Sequence, residues 1–245
     1  MASTEPGIWC VVPAAGRGGR FGGEIPKQYL QLRGKPLLLQ TLERLNAHPR
    51  IAGIVVALAP DDQLWPTLKA TWGKPVVTAI GGSRRPDSVL AGLRALPDSV
   101  AKDAFVLVHD AARPCVRADD ISRLISLGSA SGGALLAAPV RDTLKRADAN
   151  GMVAATEARD QRWRALTPQL FRRGELIAAL VAAGEAGIDA TDESMAMEHA
   201  GHRPLLVEGS ETNIKITTRA DLQLAEFFLA QEIGAANREP QEDRA

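Results

Sequence analysis

The chain has 245 residues, 45% of them apolar and 24% charged, and its formal net charge is zero. Such a length and composition fit one large α/β domain or two small ones. The balanced charge excludes a global attraction to nucleic acid or to an anionic membrane, so any cationic function has to be local. Two cysteines cannot build a disulfide framework, the first residues lack the regions of a signal peptide, and no run reaches the ~18 apolar residues of a membrane span. We therefore expect a cytoplasmic enzyme or binding protein.

Apolar runs alternate with amphipathic stretches along the chain. The runs that predict buried strands are 8–12, 51–59, 75–80, 104–108, 133–140 and 204–207. The stretches that predict helices are 36–47, 88–96, 119–127 and 172–183. This alternation favours a mostly parallel sheet with helices on both faces. Such sheets bind ligands beyond the carboxyl ends of their strands, so the loops of interest are 13–27, 81–88 and 109–117.

The first of these loops is rich in glycine and in cations. Its glycines, from Gly16 to Gly23, allow the backbone to approach a ligand closely, and Arg20 and Lys27 supply charge for an anion. A dinucleotide fingerprint would need glycine where Phe21 stands, and the chain contains no P-loop motif. The wide spacing of Arg20 and Lys27 favours a long loop around a triphosphate. The alternative is a flexible surface loop whose cations are merely solvated.

The second loop, residues 81–88, follows a predicted strand and opens a predicted helix. The backbone of Gly81 and Gly82 could read the edge of a base, and Ser88 could hydrogen-bond a ligand or cap the helix. The alternative is an ordinary helix N-terminus with Pro86 in its first turn. Taken alone, this signal is weak.

The third loop begins with His109 and Asp110, directly after a predicted buried strand. A carboxylate at the carboxyl end of a strand is well placed to hold Mg²⁺ against phosphate oxygens, because magnesium takes few protein ligands. The alternative is a turn-forming aspartate in a structural ion pair with Arg113. We interpret His109 as structural, and Cys10 and Cys115 as small buried side chains.

Residues 141–166 interrupt the alternation, because they carry few large apolar side chains. Asn150 and Gly151 in their middle predict a β-hairpin. A hairpin with so little core of its own is either mobile or packed on a second subunit. The final residues, 236–245, predict a disordered tail, which leaves 1–235 as a single domain.

Three later positions carry polar side chains that could contact a ligand. Arg159 follows the predicted hairpin. Thr191 is most simply the N-cap of a helix whose methionines, Met195 and Met197, belong to the core. Lys215 lies in an alternating segment, on the face opposite the isoleucines beside it. Each of these residues, taken alone, is explained as well by structure as by function.

Taken in order, the motifs resemble those of the 2-C-methyl-D-erythritol 4-phosphate cytidylyltransferases, the CTP-using enzymes of non-mevalonate isoprenoid synthesis. The matching segments are Pro13-Ala-Ala-Gly16 with Gly18 and Arg20, Pro26-Lys-Gln-Tyr-Leu30, Gly81-Gly82 with Arg85 and Ser88, Val108-His-Asp-Ala-Ala-Arg-Pro114, Ala138-Pro-Val-Arg-Asp-Thr143, Leu166-Thr-Pro-Gln169, Thr191-Asp-Glu193 and Asn213-Ile-Lys215. The resemblance extends over about residues 8–230 and is carried by the ordered set. A minor departure is Ser83, where the family often has an acidic residue.

The resemblance implies a Rossmann-like, glycosyltransferase-A-like nucleotidyltransferase fold with a mostly parallel sheet and a projecting β-arm at 141–166. It implies a homodimer in which the arm reaches the partner's active site. The implied substrates are CTP and a sugar-alcohol phosphate, and the implied cofactor is Mg²⁺ at Asp110. The implied nucleotide-binding residues are Pro13, Ala14, Ala15, Gly16, Gly18, Gly81, Gly82, Arg85 and Ser88. The implied acceptor-binding residues are Asp110, Arg113, Arg159, Thr191 and Lys215. Arg20, Lys27 and Lys215 would stabilise the reacting phosphates, and Arg159 would come from the partner, with Thr191 as a second candidate for this.

Two other interpretations stay open on the sequence alone. The first is a cytidylyltransferase for another sugar-alcohol phosphate, such as ribitol 5-phosphate, built on the same core. The second is a catalytically silent nucleotide-binding protein, although such a protein has no need of Arg20, Lys27, Asp110 and Lys215 together. A glycosyltransferase is disfavoured, because His109-Asp110 stands where an Asp-x-Asp metal motif would be expected.

Overall fold

A seven-stranded sheet with helices on both faces forms the centre of the computed structural model, which describes residues 7–16 and 25–236. The strands are β1 (Ile8–Pro13), β2 (Gln31–Leu32), β3 (Lys35–Pro36), β4 (Ile51–Leu58), β5 (Val76–Ile80), β6 (Phe105–Val108), β7 (Ala134–Pro139), β8 (Leu144–Ala147), β9 (Val153–Glu157), β10 (Trp163–Arg172) and β11 (Leu205–Glu208). The helices are α1 (Leu37–Ala47), α2 (Arg85–Arg94), α3 (Ala118–Ser131), α4 (Arg173–Glu185), α5 (Glu193–His199) and α6 (Arg219–Ala236). The α/β class expected from the sequence is confirmed.

The order of strands in the main sheet is β11-β7-β10-β6-β1-β4-β5. All six apolar runs form strands of this sheet, and β1, β4, β5 and β6 run parallel to one another, as do β7 and β11. Cys10 at the centre pairs with Ile54 on one side and Leu107 on the other. The predicted, mostly parallel sheet is therefore confirmed. Its carboxyl edge brings together the ends of β1, β5 and β6, where the three loops begin.

One strand of the main sheet was missed by the sequence pattern. β10 runs antiparallel between β6 and β7, and its first residues, 163–166, belong to the segment predicted as the projecting arm. The internal Pro168 argues against a central strand, because proline cannot donate to a ladder. The structure accommodates Pro168 after a cis peptide bond, at a register shift between Ala165 and Gln169.

Helices cover both faces of the sheet, as the alternation predicted. α1 and α3 bury Leu42 and Leu124 on one face, and α2 and α4 bury Leu93 and Leu176 on the other. α6 packs outside α1, where it closes a smaller apolar cluster around Cys115. Both cysteines are buried, as expected. Packing on both faces holds the strands in place and, with them, the loops at their carboxyl ends.

The hairpin β8–β9 forms a two-stranded sheet of its own, with Asn150 and Gly151 in its turn. Gly151 has a φ of 78°, a backbone conformation that costs glycine little. Most of the hairpin's side chains are exposed, and Met152 and Val153 are 67% and 65% exposed. Within this chain the hairpin therefore has almost no core.

Two sequence expectations concern the ends of the chain. Most of the predicted tail, residues 237–245, lies outside the described residues. No helix within the described ranges is both long enough and apolar enough to cross a bilayer.

Candidate active site

A cavity of about 240 Å³ opens at the carboxyl edge of the sheet. Ten residues predicted from the sequence line it: Pro13, Ala14, Ala15, Gly16, Lys27, Gly82, Arg85, Ser88, Asp110 and Lys215. Gln28, Ser83, Arg84, Ala111 and Ala112 complete the lining. Segments separated by up to two hundred residues therefore meet around one space, as the parallel sheet requires.

Lys27 is held at the cavity wall by the two residues that follow it. Gln28 is buried and donates from Nε2 to the carbonyl of Ala14 at 2.7 Å. Tyr29 packs in the core, and its hydroxyl donates to Asp62 at 2.7 Å. These anchors leave the lysine beside the backbone of residues 13–16. A cation fixed in this position suits a phosphate group that lies against that backbone.

The turn at Gly81 and Gly82 is too close-packed for larger residues. A Cβ on Gly81 would lie 2.7 Å from Cβ of Ala15, and one on Gly82 would lie 2.4 Å from Cβ of Asp87. Ser88 is not the N-cap of α2; it lies inside the helix, and its Oγ accepts from the Gly82 amide at 3.2 Å. The turn thereby brings the N-terminus of α2 to the cavity, and this end of a helix favours anions.

Asp110 lies at the floor of the cavity among three cations. Its Oδ1 accepts from Nε of Arg85 at 2.9 Å, and its Oδ2 lies 2.9 Å from Nζ of Lys215 and 3.3 Å from Nε of Arg113. Burial would raise the pKa of the carboxyl, but these cations outweigh it and hold the pKa well below its usual range. Asp110 therefore forms the predicted structural ion pair with Arg113, and it also contacts Arg85 and Lys215, which line the cavity.

Arg85 bridges two buried carboxylates. Its Nη1 and Nη2 donate to Oε1 and Oε2 of Glu193 at 2.6 and 3.1 Å, while Nε holds Asp110. Glu193 is fully buried at the start of α5. The fork geometry of the guanidinium explains how one side chain can serve both partners. Although Arg85 lines the cavity, most of its donors are directed at protein carboxylates.

His109 is a structural residue, as expected. The Asp110 amide donates to Oγ1 of Thr167, so the threonine hydroxyl is free to donate to Nδ1 of His109. The carbonyl of Arg113 can only accept, so Nε2 of His109 carries the proton. Both ring nitrogens are thus satisfied in the neutral form, and burial lowers the pKa of His109 to about 4. This ring has no proton acceptor to offer a substrate.

The segment before α6 brings Lys215 to the cavity. Asn213 is buried, donates from Nδ2 to the Thr167 carbonyl at 2.8 Å, and accepts from Nη1 of Arg113 through its own carbonyl at 2.7 Å. The buried Ile216 donates its amide to Ala112 at 2.9 Å. Lys215 lies between these anchors with its side chain turned to the opposite side, as the alternation predicted.

Several predicted residues lie away from the cavity lining. Gly81 lies behind Ser88, and Arg113 lies beneath Asp110. Gly18 and Arg20 fall outside the described residues. Arg159 is exposed and donates to the carbonyl of Arg141.

Thr191 differs from the sequence expectation in its local role. It is exposed, and the N-cap of α5 is Asp192, whose Oδ1 accepts from the Met195 amide at 2.9 Å. Aspartate is among the preferred N-caps, so it competes well with the threonine before it. Met197 is buried as expected, but Met195 is 38% exposed and lies against Thr191.

Four buried polar residues at the site had no role assigned from the sequence: Gln28, Thr167, Glu193 and Asn213. All four stand within the matched motifs, so their positions were visible although their contacts were not. Each makes hydrogen bonds that hold a lining residue or its neighbour in place. They build the support of the cavity rather than its surface.

The site offers a metal ion few protein ligands. No group of three His, Cys, Asp or Glu side chains able to hold a metal occurs in the described part of the chain. Mg²⁺ usually takes one or two carboxylates and completes its shell with phosphates and water. Oδ1 of Asp110 accepts from Arg85 and has a second lone pair, so it can supply one ligand. The donor set therefore fits a magnesium ion held mainly by substrate phosphates.

The family model for 2-C-methyl-D-erythritol 4-phosphate cytidylyltransferase matches residues 8–231. The chain is 59% identical over 234 residues to the protein of that name from Xanthomonas campestris pv. campestris (strain 8004), covering 95% of this chain and 88% of the relative. It is 59% identical over 228 residues to the one from Stenotrophomonas maltophilia (strain R551-3), covering 93% of this chain and 98% of the relative.

Solved structures show the same likeness. The cytidylyltransferase of that name from Francisella tularensis superposes with a TM-score of 0.77 at 37% identity, over 91% of this chain and 99% of its own. The one from Thermus thermophilus gives a TM-score of 0.75 at 32% identity, over 92% of this chain and 99% of its own. The likeness in structure therefore extends over about nine tenths of this chain.

Proposed function

We propose that the cavity at the carboxyl edge of the sheet is the active site of this chain, which belongs to the 2-C-methyl-D-erythritol 4-phosphate cytidylyltransferase family. The chain transfers CMP from CTP to 2-C-methyl-D-erythritol 4-phosphate. The observation that carries this proposal is the cluster around Asp110. A buried carboxylate, two cations that contact it and a helix N-terminus line one space, and Arg113 pairs with the same carboxylate from beneath. In our proposal, the backbone of residues 13–16, Gly82 and Ser88 surround the nucleotide, and Lys27 and Lys215 contact phosphates.

In this reaction a phosphate oxygen of the acceptor attacks the α-phosphorus of CTP. The new P–O bond forms while the bond to the β-phosphate breaks, and its electron pair leaves with pyrophosphate. The second pKa of a phosphate monoester is about 6, so most of the acceptor is already a dianion near neutral pH. No general base is needed, which agrees with a neutral, fully hydrogen-bonded His109.

The barrier to the reaction is the approach of one anion to another. Catalysis therefore depends on positioning and on neutralising charge that develops between the phosphates. Lys27 lines the cavity together with the backbone of residues 13–16, and Lys215 lies beside Asp110. In our proposal Lys27 acts on the phosphates of CTP, and Lys215 orients the attacking phosphate. Arg20 is proposed to join Lys27, although it lies outside the described residues.

We propose Mg²⁺ as the cofactor, with Oδ1 of Asp110 as its protein ligand. Bound there, the ion would neutralise phosphate charge and polarise phosphoryl oxygens. The protein's own part is to keep Asp110 ionised and oriented, which the three cations and the Thr167 hydroxyl accomplish. Lys215 and Arg113 both contact Oδ2, and for this reason we propose Oδ1 as the ligand of the ion.

We further propose a homodimer in which the hairpin β8–β9 and its flanks contact the partner. The apolar side chains of Met152 and Val153 are exposed on the hairpin, and Arg159 lies apart from the cavity of its own chain. In the proposed dimer, the second subunit would bury Met152 and Val153, and Arg159 would contact the acceptor in the partner's cavity. CTP is a cytoplasmic metabolite and both cysteines are unpaired, so we propose that the dimer works in the cytoplasm.

A panel of nucleotides and acceptors tests these assignments. Pyrophosphate release is measured with each of the four nucleoside triphosphates and with methylerythritol phosphate or ribitol 5-phosphate, with and without Mg²⁺. We expect turnover with CTP and methylerythritol phosphate, only in the presence of the divalent ion. Faster turnover with ribitol 5-phosphate would contradict the acceptor assignment. Undiminished turnover in the presence of a chelator would contradict the metal assignment.

A further inference from the structure

The side chain of Glu193 does not line the cavity, yet it is the most deeply buried carboxylate among the described residues. Its side chain is fully buried, and Arg85 satisfies both of its oxygens. A carboxylate at the start of a short helix is ordinarily exposed, where it complements the helix dipole. Burying this charge is costly and requires a partner that has good geometry. Arg85 is such a partner, and it is shared with Asp110.

The pair links two segments that flank the cavity. Arg85 opens α2, next to the glycine turn, and Glu193 opens α5, two residues after Thr191. The start of α5 is in turn fixed to β10, because Gln169 accepts from the Ser194 amide at 2.7 Å and donates to Asp192 at 2.9 Å. The bidentate bond to Glu193 therefore sets the position from which the guanidinium contacts Asp110.

The remaining donors of the cluster explain why that position matters. Oδ1 of Asp110 accepts from Nε of Arg85, which leaves Oδ2 to Lys215 and Arg113. A guanidinium released from Glu193 would turn its Nη groups toward the nearest anion, which is Asp110. Bidentate pairing there would occupy both carboxylate oxygens and compete with Lys215.

We propose that Glu193 is a positioning residue for the transfer reaction: it holds Arg85 in a single-bonded contact with Asp110, so that Asp110 and Lys215 remain set for the acceptor phosphate. This proposal rests on the proposed roles of Asp110 and Lys215. Glu193 acts through Arg85 and touches neither substrate. Its loss should therefore affect the use of the acceptor more than the binding of CTP.

The variant Glu193→Gln keeps the shape of the side chain and removes its charge. We expect kcat/KM for the acceptor to fall about tenfold or more, while the Kd of CTP without acceptor changes by less than about twofold. Glu198→Gln is the matched control, because Glu198 is an exposed carboxylate on the same helix whose Oε1 accepts from the Ser194 hydroxyl. It should leave both values unchanged. An equal loss of CTP affinity in Glu193→Gln would overturn the proposal.

A double-mutant cycle separates positioning from simple support of the fold. If Glu193 acts through Asp110, the change Glu193→Gln should have less than about a twofold effect in an Asp110→Asn background. The same fold-loss in both backgrounds would overturn the proposal. Full activity of Glu193→Gln, with loss in Asp110→Asn, would overturn it as well but leave the proposed site intact. Full activity of Asp110→Asn would instead contradict the proposed site and, with it, this inference.

The paired variant Arg85→Met with Glu193→Met covers the case in which a single change unfolds the protein. Replacing both members of a buried ion pair by apolar side chains often preserves stability. We expect this variant to melt cooperatively, to bind CTP and to remain slow with the acceptor, because Asp110 has lost its Oδ1 donor. Restored acceptor kinetics in a folded double variant would show that the pair only supports the fold, and would overturn the proposal.

Discussion

The carboxyl edge of the sheet buries charged side chains, whereas the hairpin β8–β9 exposes apolar ones. At the edge, Asp110 is buried and each of its oxygens is paired. On the hairpin, Met152 is 67% exposed, although it is a large apolar side chain. The described part of the edge pairs its buried charges within a single chain, whereas the hairpin leaves apolar side chains exposed. In our proposal this edge binds the nucleotide without help from a second chain, whereas the acceptor side needs a second subunit.

The largest expected effect comes from removing charge at the prebuilt edge. Lys27→Ala should lower kcat by about 10²–10³, as is typical when one donor that stabilises developing charge is lost. Steady-state rates at saturating CTP and acceptor measure this effect. Lys35→Ala is a suitable control, because Lys35 is an exposed lysine that pairs with Glu43 on the surface. Near-normal turnover of Lys27→Ala would contradict the proposed role.

Acid should weaken the edge through His109. The pKa of this residue falls from 6.5 in the unfolded chain to about 4 in the fold, so the unfolded state binds more protons between these values. Stability is therefore retained above pH 6.5 and decreases as the pH falls toward 4, by up to about 3 kcal/mol from this residue. Denaturant titrations at pH 7 and at pH 4.5 measure the difference.

The variant His109→Gln isolates that contribution. Burial also lowers the pKa of His48, which adds loss in the same direction, whereas burial raises the pKa of Glu193, which opposes it. The comparison between wild type and variant cancels both. We expect the variant to lose less stability on acidification than the wild type. An identical loss would show that His109 does not carry the pH dependence.

Arg159 tests the region outside the edge. Arg159→Ala should raise KM for the acceptor roughly tenfold to a hundredfold, the usual loss for one charge-assisted hydrogen bond, and leave the Kd of CTP nearly intact. Arg203→Ala is the control, because Arg203 is also exposed but precedes β11, at the amino edge of its parallel pair. A comparable loss of CTP affinity would place Arg159 with the nucleotide instead.

The smallest effect is expected on the hairpin. Met152→Ser should weaken the dimer about tenfold, since covering one such side chain contributes roughly 1.5 kcal/mol or more. The molar mass in solution across a dilution series measures the change. Ile80→Ser alters an equally exposed apolar residue, 71% exposed on the outermost strand β5, and should leave the dimer unaffected. If only Ile80→Ser weakened the dimer, the interface would lie at the β5 edge of the sheet and not on the hairpin.

The sequence predicts one part of this comparison better than the other. Apolar runs identify the strands of the main sheet, and the parallel arrangement then brings Lys27, Ser88 and Asp110 to one edge. β10 escapes the pattern because Pro168 interrupts it. Glu193 escapes because a first-turn carboxylate looks like a solvated one, and its partner lies 108 residues earlier. Local periodicity specifies the elements, whereas pairings between distant side chains depend on how those elements pack.

A heterodimer of two defective variants tests directly whether one site takes residues from both chains. Lys27→Ala and Arg159→Ala chains, carrying different tags, are co-expressed, and the mixed dimer is purified and assayed at a low acceptor concentration. If Arg159 acts across the interface, one of the two sites contains both defects and the other contains neither. We predict about half of the wild-type rate per dimer. A rate no higher than the average of the two parent variants would contradict a shared site.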